Sequence, residues 1–518
     1  MRERPPRPPM QARSPLVRTG PLHDIRRWVL VASVLASLTS TRATANGRFP
    51  TAQQLIEDPA NPQHLVLRAT YGILTSQDGG RSWSWVCEQA VGYGEVEDPA
   101  LGLMANGSLL AGIFDGMARS RDSGCSWQLA QGAISTEEVI DVTVNPTDRA
   151  RALALTTELL PSAQFAIRVW ETLDNGETWT QLGPAPRGDN IVFAFEAAPS
   201  DRGRIYLSAL ETPAGGVPRG VLLRSDDRGK SWTPWPIPGS DAQNPPFVTA
   251  VASTDPDSVY VRLSGTEHDS LLYSADGGRR WRQVIRGRAK LPGFALSPDG
   301  STVLVGFGKR LLPDKPVDCT ILGIWMAPTQ DFRFRKIFHG AVQCLTWTER
   351  GVYACTSQED HGYALGLSTD RAVTFAPIMQ LKGLDGPLAC RPGTSVAASC
   401  PHAWLRACST VGKQCPGGTP DASGLGPPAG TPSVICAGSL DAGVDAALPI
   451  DAAAGRASAV PPASPDAGPE AAPGDGCGCR LGPVARAPFP SFPLGVIGVA
   501  AVLLLRRRRR SPLRAQSD

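Results

Sequence analysis

The sequence predicts an all-β protein: a seven-bladed β-propeller of four-stranded blades, followed by a small Cys-rich cap, a linker and one C-terminal apolar helix. Two observations predict it. An eight-residue pattern, Ser/Thr-x-Asp-x-Gly-x-x-Trp, recurs about every 50 residues, the period of radial repeat folds. Between the copies lie short β-type runs punctuated by Gly, Pro and Asp.

Taken in chain order, residues 1–27 are rich in Arg and Pro. The apolar "WVLVASVLASL" (Trp28 to Leu38) and "ATA" (Ala43 to Ala45) follow. A charged lead, a short apolar core and a small-residue cleavage site make residues 1–45 a signal peptide for export. Met10 is an alternative start, and "RRW" (Arg26 to Trp28) is only a weak twin-arginine signal. The formal charge of +3 hides an uneven distribution. Residues 1–45 carry +6 and residues 480–518 carry +7, so the body between them carries −10. An acidic exported body is poorly suited to nucleic acid, and none is expected as a partner. The twelve Cys read as disulfides in an exported chain. Zinc is disfavoured, because His is scarce and the Cys from 390 onward do not form paired C-x-x-C knuckles.

The propeller is expected over residues 46–387. Intact copies of the pattern are "SQDGGRSW" (Ser76 to Trp83), "SRDSGCSW" (Ser120 to Trp127) and "TLDNGETW" (Thr172 to Trp179). Two more are "SDDRGKSW" (Ser225 to Trp232) and "SADGGRRW" (Ser274 to Trp281). A worn copy, "STDRAVTF" (Ser368 to Phe375), has Ala372 in place of the Gly. Starts lie 44, 52, 53 and 49 residues apart, then 94, so one more unit belongs in the last gap, at "APTQDFRF" (Ala327 to Phe334). In the fourth unit the strands are "VFAFEAAP", "RIYLSAL" and "GVLLRS" before the box and "WTPWPI" after it. Four strands per unit make a propeller blade.

The box therefore falls at the hairpin between the third and fourth strands. Asp78, Asp122, Asp174, Asp227, Asp276 and Asp370 are placed to accept bonds from turn N–H groups. Gly80, Gly124, Gly176, Gly229 and Gly278 take a backbone conformation that a Cβ would oppose. Trp83, Trp127, Trp179, Trp232, Trp281 and Phe375 open the fourth strand and bury apolar area against neighbouring structure. The turns lack the alternating ligands and closing Glu of a calcium loop, so their role is structural and no metal is expected. The pattern resembles the Asp-box (BNR) repeat of sialidases, sortilin-type receptors and propeller-type photosystem II assembly factors. That resemblance covers about two-thirds of the chain.

Residues 388–415 are expected to form a stapled Cys-rich cap. Residues 416–476, dominated by Ala, Pro, Gly and Asp, read as a disordered linker. Cys477 and Cys479 in "DGCGCR" precede an uncharged span at 488–505 and the block Arg506 to Arg510. The span is barely long enough to cross a bilayer, and the Arg block would stay cytoplasmic. The three parts resemble the MYXO-CTERM sorting tail of myxobacterial surface proteins. That implies cutting near the Cys pair by a sorting protease and attachment at the cell surface; the alternative is an uncleaved single-pass anchor. Among the earlier Cys, Cys344 and Cys355 flank a hairpin and are expected to pair. Cys87 and Cys125 are expected to staple adjacent blades.

No catalytic residue and no cofactor is expected. The resemblance to sialidases implies an arginine triad and a Tyr nucleophile, but Arg48 in "GRFP" is only a weak echo of the first arginine. No carboxylate pair of the kind glycosidases use stands out. Ligand-binding loops are expected on the face opposite the boxes: "GYGEVED" (Gly92 to Asp98), "ETPAGGVPRG" (Glu211 to Gly220), "GTEHDS" (Gly265 to Ser270), "GKRLLPDKPVDC" (Gly308 to Cys319) and "SQEDHG" (Ser357 to Gly362). His268 and His361 sit beside acids there. Two functions remain open: a non-catalytic surface binding or scaffold protein for a glycan or protein, and a surface-tethered glycoside hydrolase.

Overall fold

A computed structural model describes residues 52–413, apart from 95–96, 161–164, 185, 187–189, 214–215 and 311–315. The expected signal peptide, Arg48, the linker, Cys477, Cys479 and the apolar span at 488–505 lie outside the described residues. Among the described residues, no helix is long and apolar enough to cross a membrane.

The described strands form seven antiparallel sheets, each taking four successive strands in order. Blades 1 to 7 cover 52–86, 100–129, 138–182, 190–241, 246–287, 290–339 and 342–379. The gap with no intact box therefore holds a full blade, blade 6. First strands of neighbouring blades meet around the axis: Lys290–Leu296 lies against Val342–Thr348, and Val342–Thr348 against Ala52–Asp58.

Burial explains which strands the sequence announces. Second and third strands are packed on both faces by neighbouring blades, so they read as continuous apolar runs. Thr302–Gly308 and Leu109–Ile113 are buried throughout. Fourth strands form the rim. Thr233–Asp241 is mostly exposed and Gln128–Leu129 is two exposed residues, so they carry little hydrophobic pattern. The apolar clusters lie between blades. One joins Leu155 and Val169 of blade 3 to Phe195 and Leu207 of blade 4.

The six box turns share one set of bonds. The first-position hydroxyl donates to the Asp carboxylate at 2.7–2.9 Å. It accepts the fifth residue's N–H at 2.8–2.9 Å. The Asp also accepts the seventh residue's N–H at 2.7–3.0 Å. A seventh-position hydroxyl, on Ser82, Thr178, Ser231 and Thr374, donates to the second carboxylate oxygen at 2.6 Å. The sequence pattern above leaves that position blank, although a hydroxyl recurs there. The fifth residue has positive φ, 93° at Gly278 and 66° at Ala372. A Cβ on Gly278 would come within 2.6 Å of Leu222.

The eighth-position aromatics reach across blade boundaries. Trp83 Nε1 donates to Ile378 O of blade 7 at 2.9 Å, and Trp281 Nε1 to Pro236 O of blade 4 at 3.1 Å. Phe375 meets Phe338 of blade 6 edge-on, with centroids 5.1 Å apart. Trp83 and Trp127 are buried, whereas Trp179, Trp232 and Trp281 are half-buried.

After blade 7 the chain crosses back over blade 1. Gly386–Pro387 adds a fifth strand to blade 1, parallel to Ser84–Val86. The helix Ser395–Thr410 follows, its first turn capped by the Thr394 side chain. Cys400 of this helix bonds Cys87, and Cys390 bonds Cys125. This corrects the expected staple between adjacent blades. Cys87 and Cys125 each join the cap, because the returning segment passes over both. Cys344 and Cys355 face each other across the blade 7 hairpin and are bonded. Cys319 and Cys408 each take part in a further disulfide.

The Cys87–Cys400 bond closes a loop spanning 313 residues. The double variant Cys87→Ser, Cys400→Ser is expected to lose about 2–5 kcal/mol in urea unfolding; an unchanged midpoint would contradict this. The Asp78, Asp227 and Asp370 carboxyls are held down at about 2 by the seventh-position hydroxyls first, with turn N–H groups adding to the effect. Depressed folded pKa values give stability that is present above the ordinary value of 3.8 and lost as pH falls toward 2. The triple variant Asp78→Asn, Asp227→Asn, Asp370→Asn is expected to show a smaller loss of stability across that window than the native chain.

Candidate functional site

The two faces of the ring differ in what their side chains already do. On the box face, charges bridge successive blades. Arg119 of blade 2 pairs with Glu177 of blade 3 at 2.6 Å, and Arg202 of blade 4 with Asp148 of blade 3 at 2.8 Å. Glu171 of blade 3 holds Arg151 at 2.6 Å and also pairs with Arg228 of blade 4. Arg204 pairs with Asp226 of its own blade and Asp257 of blade 5, each at 2.5 Å. The box residues thus serve turn geometry and blade-to-blade bonding, and the structure brings none of them together into a cluster.

On the opposite face the loops between second and third strands interlock. The "GTEHDS" loop of blade 5 is held from the next blade by Arg310. This buried guanidinium donates to Gly265 O at 2.6 Å, Thr266 O at 3.0 Å and Ala289 O at 3.1 Å. It also pairs with the fully buried Asp269, which accepts Leu291 N–H at 2.8 Å. Lys309 in turn reaches Asp360 of blade 7 at 2.6 Å. Asp360 lies in the short helix Gln358–His361, with Ser357 as its cap. His361 is half-buried beside Phe338 and Tyr363, with centroids 5.6 and 6.0 Å away. In "GYGEVED", Glu97 is buried and accepts Phe114 N–H, and Asp98 accepts from Gln53 at 3.3 Å. In "ETPAGGVPRG", Glu211 pairs with Arg219 at 3.1 Å.

His268 stands apart from these structural pairs. It lines an open groove of about 400 Å³ between the outer strand of blade 4 and the outer strands of blade 5. Pro238, Leu263, Leu272 and the half-buried Trp281 supply apolar surface, and Asn244, Ser270, Gln283 and Arg286 supply polar groups. A bulge in the pairing of the last two strands of blade 5 separates Gln283 from Arg286, yet both line the groove. Asn244 is oriented by the hydrogen bond its side-chain Nδ2 donates to Asp241 Oδ1 at 3.0 Å. Burial lowers the His268 pKa below its ordinary value of 6.5, and the Arg286 and Arg288 charges lower it further. Sequence reading named His268 and Ser270 in one loop and Trp281 as a box aromatic, but did not bring them together and missed the other groove residues, which are scattered over 238–286. The signal that was present is the basic run at the rim of blade 5.

A second feature lies beside the axis. Asp141 and Glu196 sit on the first strands of blades 3 and 4, Glu138–Val144 and Asn190–Ala197. Burial pushes Asp141 up to about 6, although it accepts N–H bonds from Val142 at 2.9 Å and Phe195 at 3.4 Å. Burial and then the Asp141 charge raise Glu196 well above the usual carboxylate range. Neither residue was singled out in the sequence, because each is one acid in an ordinary strand. Among the described residues no group of three or more His, Cys, Asp or Glu is placed to hold a metal ion.

No family model and no curated protein matches the chain. Among solved structures it is similar to an ancestral GH74 enzyme, at 14% identity and a TM-score of 0.46, over 64% of this chain and 46% of that one. It is similar to a GH74 xyloglucanase from Xanthomonas campestris, at 16% identity and a TM-score of 0.36, over 62% and 59%. A third is the extracellular domain of a one-component system from B. thetaiotaomicron, at 14% identity and a TM-score of 0.41, over 65% and 41%. The chain spans about half the length of the two GH74 structures it matches. The likeness is one of fold alone.

The loop geometry rests on Arg310. Arg310→Ala would leave Asp269 buried without its partner, at a cost of about 3–5 kcal/mol. Urea unfolding measures this, and a loss under about 1 kcal/mol would show that Arg310 does not pin the loop.

Proposed function

We propose that the chain is a non-catalytic binding or scaffold propeller, attached at the cell surface through its C-terminal tail, with a glycan or protein as ligand. The composition of the groove carries this reading. It is lined by an indole, aliphatic side chains, two amides, a hydroxyl, an imidazole and a guanidinium, with no carboxylate among its ten lining residues. Those are recognition groups: polar side chains set in an apolar concavity fix orientation and specificity. Cleaving a glycosidic bond generally takes two positioned carboxylates. The rigid loop scaffold around Arg310 supports the same reading, because a pre-formed site loses less entropy on binding.

One observation favours a second reading, a surface-tethered glycoside hydrolase of the sialidase-like propeller type. Asp141 and Glu196 are neighbouring acids with raised pKa values, the pattern of a general acid beside a second carboxyl. A panel of aryl glycosides and polysaccharides separates the two. No turnover is expected from the purified chain. Turnover abolished by Asp141→Asn or Glu196→Gln, with the fold intact, would establish the hydrolase instead.

A further inference from the structure

We infer that the groove between blades 4 and 5 binds an acidic polysaccharide, seating a sugar carboxylate or sulfate against His268, Arg286 and Arg288. The inference rests on the binding reading above and names its ligand class.

Charge is the first argument. The body carries −10, yet the stretch Arg279 to Lys290 holds six basic residues and no acid, and all six are exposed. Five of them lie on or beside the rim strand Arg282–Gly287 or its turn, and their partners differ. Arg280 is bonded to Asp276 at 2.7 Å. Arg282 donates to Asp331 O at 2.9 Å and covers the Phe332 ring. Arg279 lies over Trp235, 5.4 Å from the ring centroid. Arg286 and Arg288 have no carboxylate partner among the described residues. Both lie close enough to His268 to disfavour its protonation; His268 and Arg286 line the groove itself, and Arg288 adds its charge beside it. Such a cluster, at the edge of an otherwise acidic body, is complementary to a ligand that brings negative charge.

The rest of the lining selects among anions. A saccharide ring presents hydroxyls at its edge and C–H groups on its faces. Asn244, Gln283 and Ser270 can bond hydroxyls, and Trp281, Pro238 and Leu272 offer apolar surface. Trp281 is fixed by its bond to Pro236 O, and Asn244 by its bond to Asp241, so both are presented at low entropic cost. The volume of about 400 Å³ falls within the range of small-ligand sites, roughly 300–1,000 Å³. An acidic peptide would use the guanidinium groups, but the pairing of an indole with amides suits sugar hydroxyls better.

The test uses the full chain and four polymers: dextran sulfate, polygalacturonate, neutral dextran and poly-glutamate. Calorimetric titration is expected to show binding to dextran sulfate or polygalacturonate, and the stronger of the two identifies the anionic group. Arg286→Ala, Arg288→Ala is expected to weaken that binding by about tenfold or more. Arg202→Ala, on the box face, is expected to leave it unchanged. Dextran sulfate keeps its charge across the pH range, so its affinity reports on the protein alone. His268 is faced by Glu267, Arg286, Arg288 and Arg310. Because its pKa lies below 6.5, affinity is expected to rise as pH falls below that value and to lose this dependence in His268→Ala. Equal or tighter binding of poly-glutamate, binding unaffected by the double arginine variant, or binding to none of the anionic polymers would overturn the inference. Binding of neutral dextran alone would sink the inference yet leave the binding reading standing, whereas hydrolysis of a polymer would sink the binding reading itself.

Discussion

A ring of seven sheets has one boundary between blades that are not consecutive in the chain, that of blade 7 with blade 1, and everything else in this fold depends on how that boundary is held. The blades themselves meet there: Thr346 donates to Leu55 O at 3.2 Å, Tyr353 to Glu57, and Trp83 to Ile378 O at 2.9 Å. The returning segment then adds a strand to blade 1 and places a helix on it. Asp385 and Leu388 N–H groups donate to the Trp83 and Trp85 carbonyls at 2.9 and 2.8 Å. Trp404 of the helix packs on Trp85, with centroids 5.4 Å apart. Among the described residues, the largest apolar cluster sits at this closure, joining Tyr353, Leu67, Leu109 and Val396 from both sides of it. Two disulfides make the closure covalent by tying the cap to blades 1 and 2.

With the ring closed, buried apolar clusters hold the other boundaries, and box-face charge pairs add to them between blades 2 and 3, 3 and 4, and 4 and 5. This assigns different work to the two faces. The box face spends its arginines and carboxylates on one another, as in the Arg151, Glu171 and Arg228 group. The loop face is fixed from within by Arg310, whose bonds are to backbone carbonyls and a buried Asp. Arg286 and Arg288 therefore project from a rim whose shape is set by other residues, which is the condition for a site that recognises without rearranging.

Much of the fold was legible because its signals are local. A Ser, an Asp, a Gly and a Trp within eight residues specify a turn whose bonds close on themselves, and the doubled spacing between Ser274 and Ser368 located a blade that had lost its box. The hairpin pairing of Cys344 with Cys355 was legible for the same reason, since eleven residues separate them. The partners of Cys87 and Cys125 were not, because separations of 313 and 265 residues depend on where the returning segment lands. The candidate site is of this second kind. His268 was visible beside its acids, but Asn244, Leu263 and Trp281 become neighbours only through strand register and blade packing. The pairing of Asp141 with Glu196 is likewise a product of adjacent first strands, 55 residues apart in the chain.

The central claim is that ligand is held at the rim between blades 4 and 5 and not at the axis. Hydrogen–deuterium exchange of the full chain, with and without saturating acidic polysaccharide, tests it most directly. The account predicts slower exchange confined to residues 238–244, 263–272 and 281–288. Protection centred instead on residues 138–144 and 190–197, the strands that carry Asp141 and Glu196, would contradict it.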